Sequence, residues 1–171
     1  MDTHRPGGSH YLTPAAVRRG VALAAPMLES ALADPGVVGS GVLYLVIMDP
    51  GCPPDEYNFE EAVLYERAFG DRGSWDADYA ALARAKAKLS WRTGLDGSVL
   101  QDSRPHLLRD GDTVLRGGIC LDGIVVAVSG AFAAFDEAFA GSVAMCLRAL
   151  ARRGREVEES VRLQLGAGGG V

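Results

Sequence analysis

The sequence predicts an α+β domain, an antiparallel sheet with helices packed against it, on three observations. An apolar stripe at helical spacing runs through Val17, Val21, Ala24, Leu28 and Leu32. Gly41 to Met48 is an unbroken apolar run of strand length, the pattern of a strand covered on both faces. Gly117 to Gly130 reads as a strand, an Asp122-Gly123 turn, a buried strand and a Ser129-Gly130 exit into a helix. Asp-Gly between two apolar runs is the strongest short-range hairpin signal, because both central residues of the turn need positive φ. The resulting order of helix, strand pair, helix, strands, helix segregates the sheet from its helices.

The first helix starts at Thr13-Pro14, an N-cap followed by proline at the first helical position, and stops at Asp34-Pro35-Gly36. Pro26 lies inside it and removes one backbone hydrogen bond, so a kink or π-like distortion is expected near Ala22. After the 41–48 strand comes a proline-rich loop, Asp49 to Asn58, and Phe59 to Arg67 reads as a second, antiparallel strand. Ser74 is the expected cap of the next helix, with Asp76 and Asp78 in its first turn and Gly94 at its end. Leu95 to Arg109 reads as irregular, and Thr113 to Arg116 as the third strand. Beyond the hairpin a helix is expected from about Phe135 to Arg152, with Phe135, Phe139, Val143, Cys146 and Leu150 inward. Past Gly154 a last amphipathic piece carries Val157, Val161 and Leu165, with a Glu158/Arg162 pair, before a flexible glycine-rich tail. The expected organisation is a flexible segment 1–11, one domain 12–153 and a C-terminal helical extension 154–171.

At 171 residues and 18.0 kDa the chain can bury a proper core. Its 17 basic and 22 acidic side chains give a net charge of −5, and no basic stripe with interleaved aromatics occurs, which argues against nucleic acid. No apolar run reaches the length of a membrane span. Arg18-Arg19 and the apolar stretch after it imitate a signal peptide, but that stretch is short and Glu29 interrupts it. Cys52, Cys120 and Cys146 show no CxxC spacing, and an odd, sparse count suits a reducing compartment, so a cytoplasmic location is expected.

Several residues are candidates for chemistry. Lys86 is the one charged residue on the apolar stripe Tyr79, Leu82, Ala83, Lys86, Leu89 and Ser90. Two readings stay open for it: a snorkelling side chain with its ammonium at the rim, or a partly buried cation that holds an anionic group or acts as a base. Asp136 sits in a helix first turn close to the Ser129-Gly130 exit; Asp49 follows a buried strand. Asp49 is also explained as a turn former beside Pro50-Gly51. Convergence of Asp49, Lys86 and Asp136 would suit proton transfer or the binding of a polar small molecule. Arg92, at the end of the Lys86 helix, and Arg116, just before the glycine pair, could each hold a carboxylate bidentately or simply be solvated; both readings stay open. His106, the histidine expected within the folded region, lies in a loop and reads either as a surface residue or as the best candidate for a haem or metal ligand. Neither HExxH, G-x-S-x-G nor a phosphate-cradling GxxxxGK occurs.

Gly117, Gly118, Ile119, Gly123, Val128, Ser129, Gly130, Asp136 and Glu137 resemble the pattern of the GlcG/HbpS family: GG-[IV]-P, a hairpin, G-x-x-G-[VA]-S-G, then D-E. Leu12-Thr13, Val46 to Gly51 and Ala83 to Ala87 resemble that family's upstream motifs in the same order, so the similarity spans roughly residues 12 to 150. Cys120 stands in place of the family proline, and Cys52 to Tyr57 reads as added loop. The resemblance implies a profilin-like α/β/α domain and a homo-oligomer, dimer or higher. It also implies binding of haem or a related tetrapyrrole, with a related domain in PduO-type proteins of corrinoid metabolism. The candidate ligand contacts are His106, Arg116, Ser129 and Gly130. The alternative is a cofactor-independent enzyme acting on a small polar metabolite, with Lys86, Asp49 and Asp136 as acid, base or anchor. An accessory protein without chemistry is a third reading.

Overall fold

The computed structural model describes residues 8–166, with side chains described through residue 162. The expected flexibility of residues 1–7 and of the tail 167–171 lies outside the described residues. The fold is α+β: a four-stranded antiparallel sheet of order β2-β1-β4-β3 with helices on both faces. The strands are β1 (Val42–Met48), β2 (Val63–Gly70), β3 (Gly118–Leu121) and β4 (Ile124–Ser129). The helices are α1 (Pro14–Ala31), α2 (Phe59–Ala62), α3 (Tyr79–Thr93), α4 (Gly97–Ser103) and α5 (Ala133–Gly166).

β1 is central and buried at every position. Its side chains alternate between two cores, as strand geometry requires. Leu43, Leu45 and Ile47 meet α1 and α5, whereas Tyr44, Val46 and Met48 meet α3. That split makes three layers, with α1 and α5 on one face and α3 on the other. Among the described residues no helix is long and apolar enough to cross a membrane.

Local chemistry explains where the elements start and stop. Thr13 caps α1 through Ala16 N, as its sequence indicates. The π-like distortion expected near Ala22 is not there. Residues 14–31 are α-helical throughout, and Ala22 and Pro26 are both exposed, so the carbonyl that lacks a partner faces water. Phe59 to Ala62 is a helical turn, not the start of a strand, because Asn58 and Glu61 form a reciprocal capping box there. The strand begins only at Val63. Asp78, not Ser74, caps α3, bonding Ala81 N at 2.9 Å, while Ser74 closes a 3₁₀ turn on Asp71. Gly94 ends α3 in the left-handed conformation.

Thr113 to Arg116 is irregular, and β3 starts at Gly118. Gly117 has φ +124°, which breaks an extended run just where pairing with β4 begins. The turn matches expectation: Asp122 (φ +52°) and Gly123 (φ +85°) supply the two positive φ angles of a two-residue hairpin.

α5 is one helix through Gly154 rather than two pieces. A helical glycine costs only about 1 kcal/mol against alanine. Arg155–Glu159 and Arg162–Glu158 pairs span the turns that follow it. Phe139, Val143, Ala144 and Leu147 form its buried stripe, whereas Phe135 is 39% exposed, not inward. Residues 9–12 are held: Ser9 N donates to Asp49 Oδ1 at 3.0 Å, and Leu12 is buried in the core.

Candidate functional site

α3 lays its apolar stripe on the sheet face formed by Tyr44, Val46, Val125 and Ala127. Lys86 lies on that stripe, so its stem is covered by the sheet and its ammonium arrives at the end of β4. Both it and Asp136 are only 3% exposed. Nζ donates to Asp136 Oδ2 at 2.7 Å, Val128 O at 3.0 Å and Ser129 Oγ at 3.2 Å. The three ammonium protons thus meet three acceptors, the condition under which a buried cation is tolerated. The side chain is buried with its ammonium bonded inside the protein, not snorkelling to the rim.

Glycines permit this burial. A Cβ on Gly117 would stand 2.7 Å from Val128 O, 2.8 Å from Asp136 Cβ and 3.1 Å from Lys86 Nζ. One on Gly118 would meet Ser90 Oγ at 2.6 Å and Lys86 O at 2.7 Å. The glycine pair is therefore a backbone cover over the ion pair and over α3. Gly130 (φ +129°) closes the other side, its missing Cβ leaving room for Val42 O, which would otherwise lie 2.1 Å away. Ser40 Oγ bonds the Gly130 and Val42 carbonyls at 2.7 and 2.9 Å and pins that corner to the start of β1.

Asp136 stands at the start of α5, where its Oδ1 accepts from Ala131 N at 2.9 Å. Burial pushes its carboxyl up, to about 6, against the opposing pull of the Lys86 ammonium and the backbone N–H groups of Ala131 and Gly130. Desolvation therefore outweighs the ion pair, and the carboxyl titrates close to neutrality.

A cavity of ≈ 340 Å³ opens over this cluster, between α3, the Leu115-Arg116 segment, the end of β4 and the start of α5. Lys86, Asp136, Ser129, Gly130 and Arg116 all line it, so five of the residues singled out in the sequence are brought together. Two are not. Asp49 follows the far end of β1, whereas Ser129 pairs with Tyr44 near its start. Five residues of strand put them about 16 Å apart. Asp49 is the turn former, accepting from Gly51 N at 2.9 Å as well as from Ser9, and it lines a separate cavity of ≈ 210 Å³ with Cys52, Trp91 and Cys120. His106 sits exposed in the 3₁₀ turn Pro105–Leu107, away from the lining of either cavity. His10, expected in a flexible segment, is placed as well, its Nε2 3.1 Å from Glu158 Oε2, so His106 is not the one histidine of the folded region.

Ser40, Asp76, Tyr79 and Phe132 also line the cavity over Lys86 and were missed as site residues. Tyr79 shares the Lys86 stripe and was within reach of helical spacing; its hydroxyl donates to Asp76 Oδ1. Phe132 and Ser40 come from loops, which no periodicity marks. No protein-family model matches this chain, and no curated protein matches it.

Proposed function

We propose that this chain is a small-molecule binding protein of the GlcG/HbpS type, its ligand seated in the cavity over Lys86, Ser129 and Asp136. The observation that carries the reading is a fully hydrogen-bonded ion pair built into a cavity wall. A buried pair of this kind adds little stability over apolar residues of the same volume, so its place beside a cavity points to use there. The residues behind the resemblance support it too: Gly117, Gly118, Ser129, Gly130 and Asp136 meet at this one place.

Haem does not fit this lining. Neither histidine, cysteine nor methionine reaches the cavity. Its phenol, Tyr79, is held protonated by the bond to Asp76 and by burial, the opposite of what an iron-binding phenolate needs. A second reading, acid–base catalysis on a small polar metabolite without a cofactor, has its own support in Asp136. A carboxyl near 6 beside a cation is placed for proton transfer close to neutral pH.

Titration with haemin and with a panel of small polar metabolites, followed by absorbance and thermal unfolding, tests the reading. Haemin should give no Soret shift, and at least one metabolite should raise the unfolding midpoint in the wild type but not in Ser129→Ala. A Soret shift abolished by His106→Ala would move the site to the exposed turn and contradict the proposal.

A further inference from the structure

We infer that the cavity ligand is a small monocarboxylate with an apolar body, its carboxylate held by the Ser129 hydroxyl, the Arg116 guanidinium and the Ala133 amide. The inference rests on the binding reading above and adds the chemical class.

The cavity floor has used its acceptors. Asp136 Oδ2 takes Lys86, Asp136 Oδ1 takes Ala131 N, and Val128 O takes Lys86. What remains on the floor is donors, with the Asp76 carboxylate an acceptor on the wall beside Tyr79. Ser129 is 3% exposed and accepts from Lys86, yet its own proton has no acceptor among the described residues. An ammonium bonded to that oxygen makes the hydroxyl a stronger donor. The Ala133 amide, in the first turn of α5, likewise has no acceptor among the described residues. Arg116 bonds Asp102 at 2.6 Å, but the two side chains are 42% and 56% exposed, so the pair is weak and open to exchange. A guanidinium matches a carboxylate with two parallel N–H bonds.

The walls select the rest of the molecule. Leu82, Leu115 and Phe132 are apolar and line the same space. A volume of ≈ 340 Å³ is at the small end of ligand sites, which begin at about 300 Å³, so it suits one ring or a short branched chain. Asp76 lines the cavity near Tyr79, two turns before Lys86 on α3, and its negative charge turns the ligand carboxylate toward Ser129.

The test is calorimetric titration of the full chain at low salt with benzoate, phenylacetate and isovalerate, beside benzamide, benzylamine and inorganic phosphate. Amide chemical shifts report where each probe sits. The carboxylates should bind at least tenfold more tightly than benzamide or phosphate and shift the amides of residues 129–133. Ser129→Ala and Arg116→Gln should each weaken benzoate about fivefold or more, and Asp76→Asn should strengthen it. Arg116 is on the exposed rim, so that variant remains decisive if Ser129→Ala fails to fold. Benzamide, benzylamine or phosphate binding as well as benzoate, with the same amides shifted, overturns the carboxylate class and leaves the cavity reading standing. Probes that leave those amides unmoved, whatever their charge, overturn both.

Discussion

Lys86 and Asp136 depend on each other more than either depends on the rest of the core. Each is withdrawn from water, and each is satisfied by the other together with backbone and Ser129 groups. Removing one member of such a pair costs about 3–5 kcal/mol, because the remaining charge is stranded. Lys86→Met should therefore destabilise strongly at neutral pH, and the double variant Lys86→Met/Asp136→Leu should recover most of the loss in urea unfolding. Equal destabilisation in the single and double variants would show that packing, not charge, sets the cost. Asp136 also imposes a pH dependence. Its folded-state value, about 6, lies above the ordinary 3.8, so the native state holds this proton more tightly than the unfolded chain does. The stabilising contribution is present below 3.8 and is lost as pH rises through about 6. Across pH 4–6 wild-type stability should fall relative to Asp136→Asn as pH rises; a parallel profile for the two proteins contradicts that.

Elements differ in how much local sequence announces them. Asp122-Gly123 dictates its own turn, and the stripes of α1 and α3 dictate which face is buried, so the hairpin, both helices and the position of Lys86 on the stripe were legible in the sequence, but the burial of its ammonium was not. Phe59 to Ala62 was not legible, because a reciprocal cap between Asn58 and Glu61 holds one helical turn ahead of the strand-forming residues from Val63 on. Thr113 to Arg116 has strand-like residues, but the bend at Gly117 turns the chain off β4, whose Val128 N still reaches the Gly117 carbonyl, and pairing is a tertiary fact. Asp49 was misplaced for a similar reason: a position after a strand says nothing about which end of the sheet holds the cavity. Gly117 belongs to this scale as well, since it is both a bend and a cover. Gly117→Ala would combine a left-handed backbone with contacts under 3 Å, and should cost about 3 kcal/mol or more in chemical unfolding. The same change at Gly141, where the space is open, should be near neutral or stabilising. Similar losses at both would mean that Gly117 does not cover the ion pair.

At the scale of the whole molecule, the three layers set where chemistry can occur. β1 and β4 form the floor, α3 brings Lys86 from one face, and the start of α5 brings Asp136 to the same corner before the helix packs across the other face. One buried charge from each helix meets at the edge of the central strands, beside the cavity. The most direct measurement is a carbon-detected NMR titration of the Asp136 carboxyl in the full chain, with Lys86→Met as the comparison. A midpoint near 6 in the wild type, moving upward when the lysine is removed, is the expected result. A midpoint in the ordinary carboxylate range that ignores the loss of Lys86 would contradict the account.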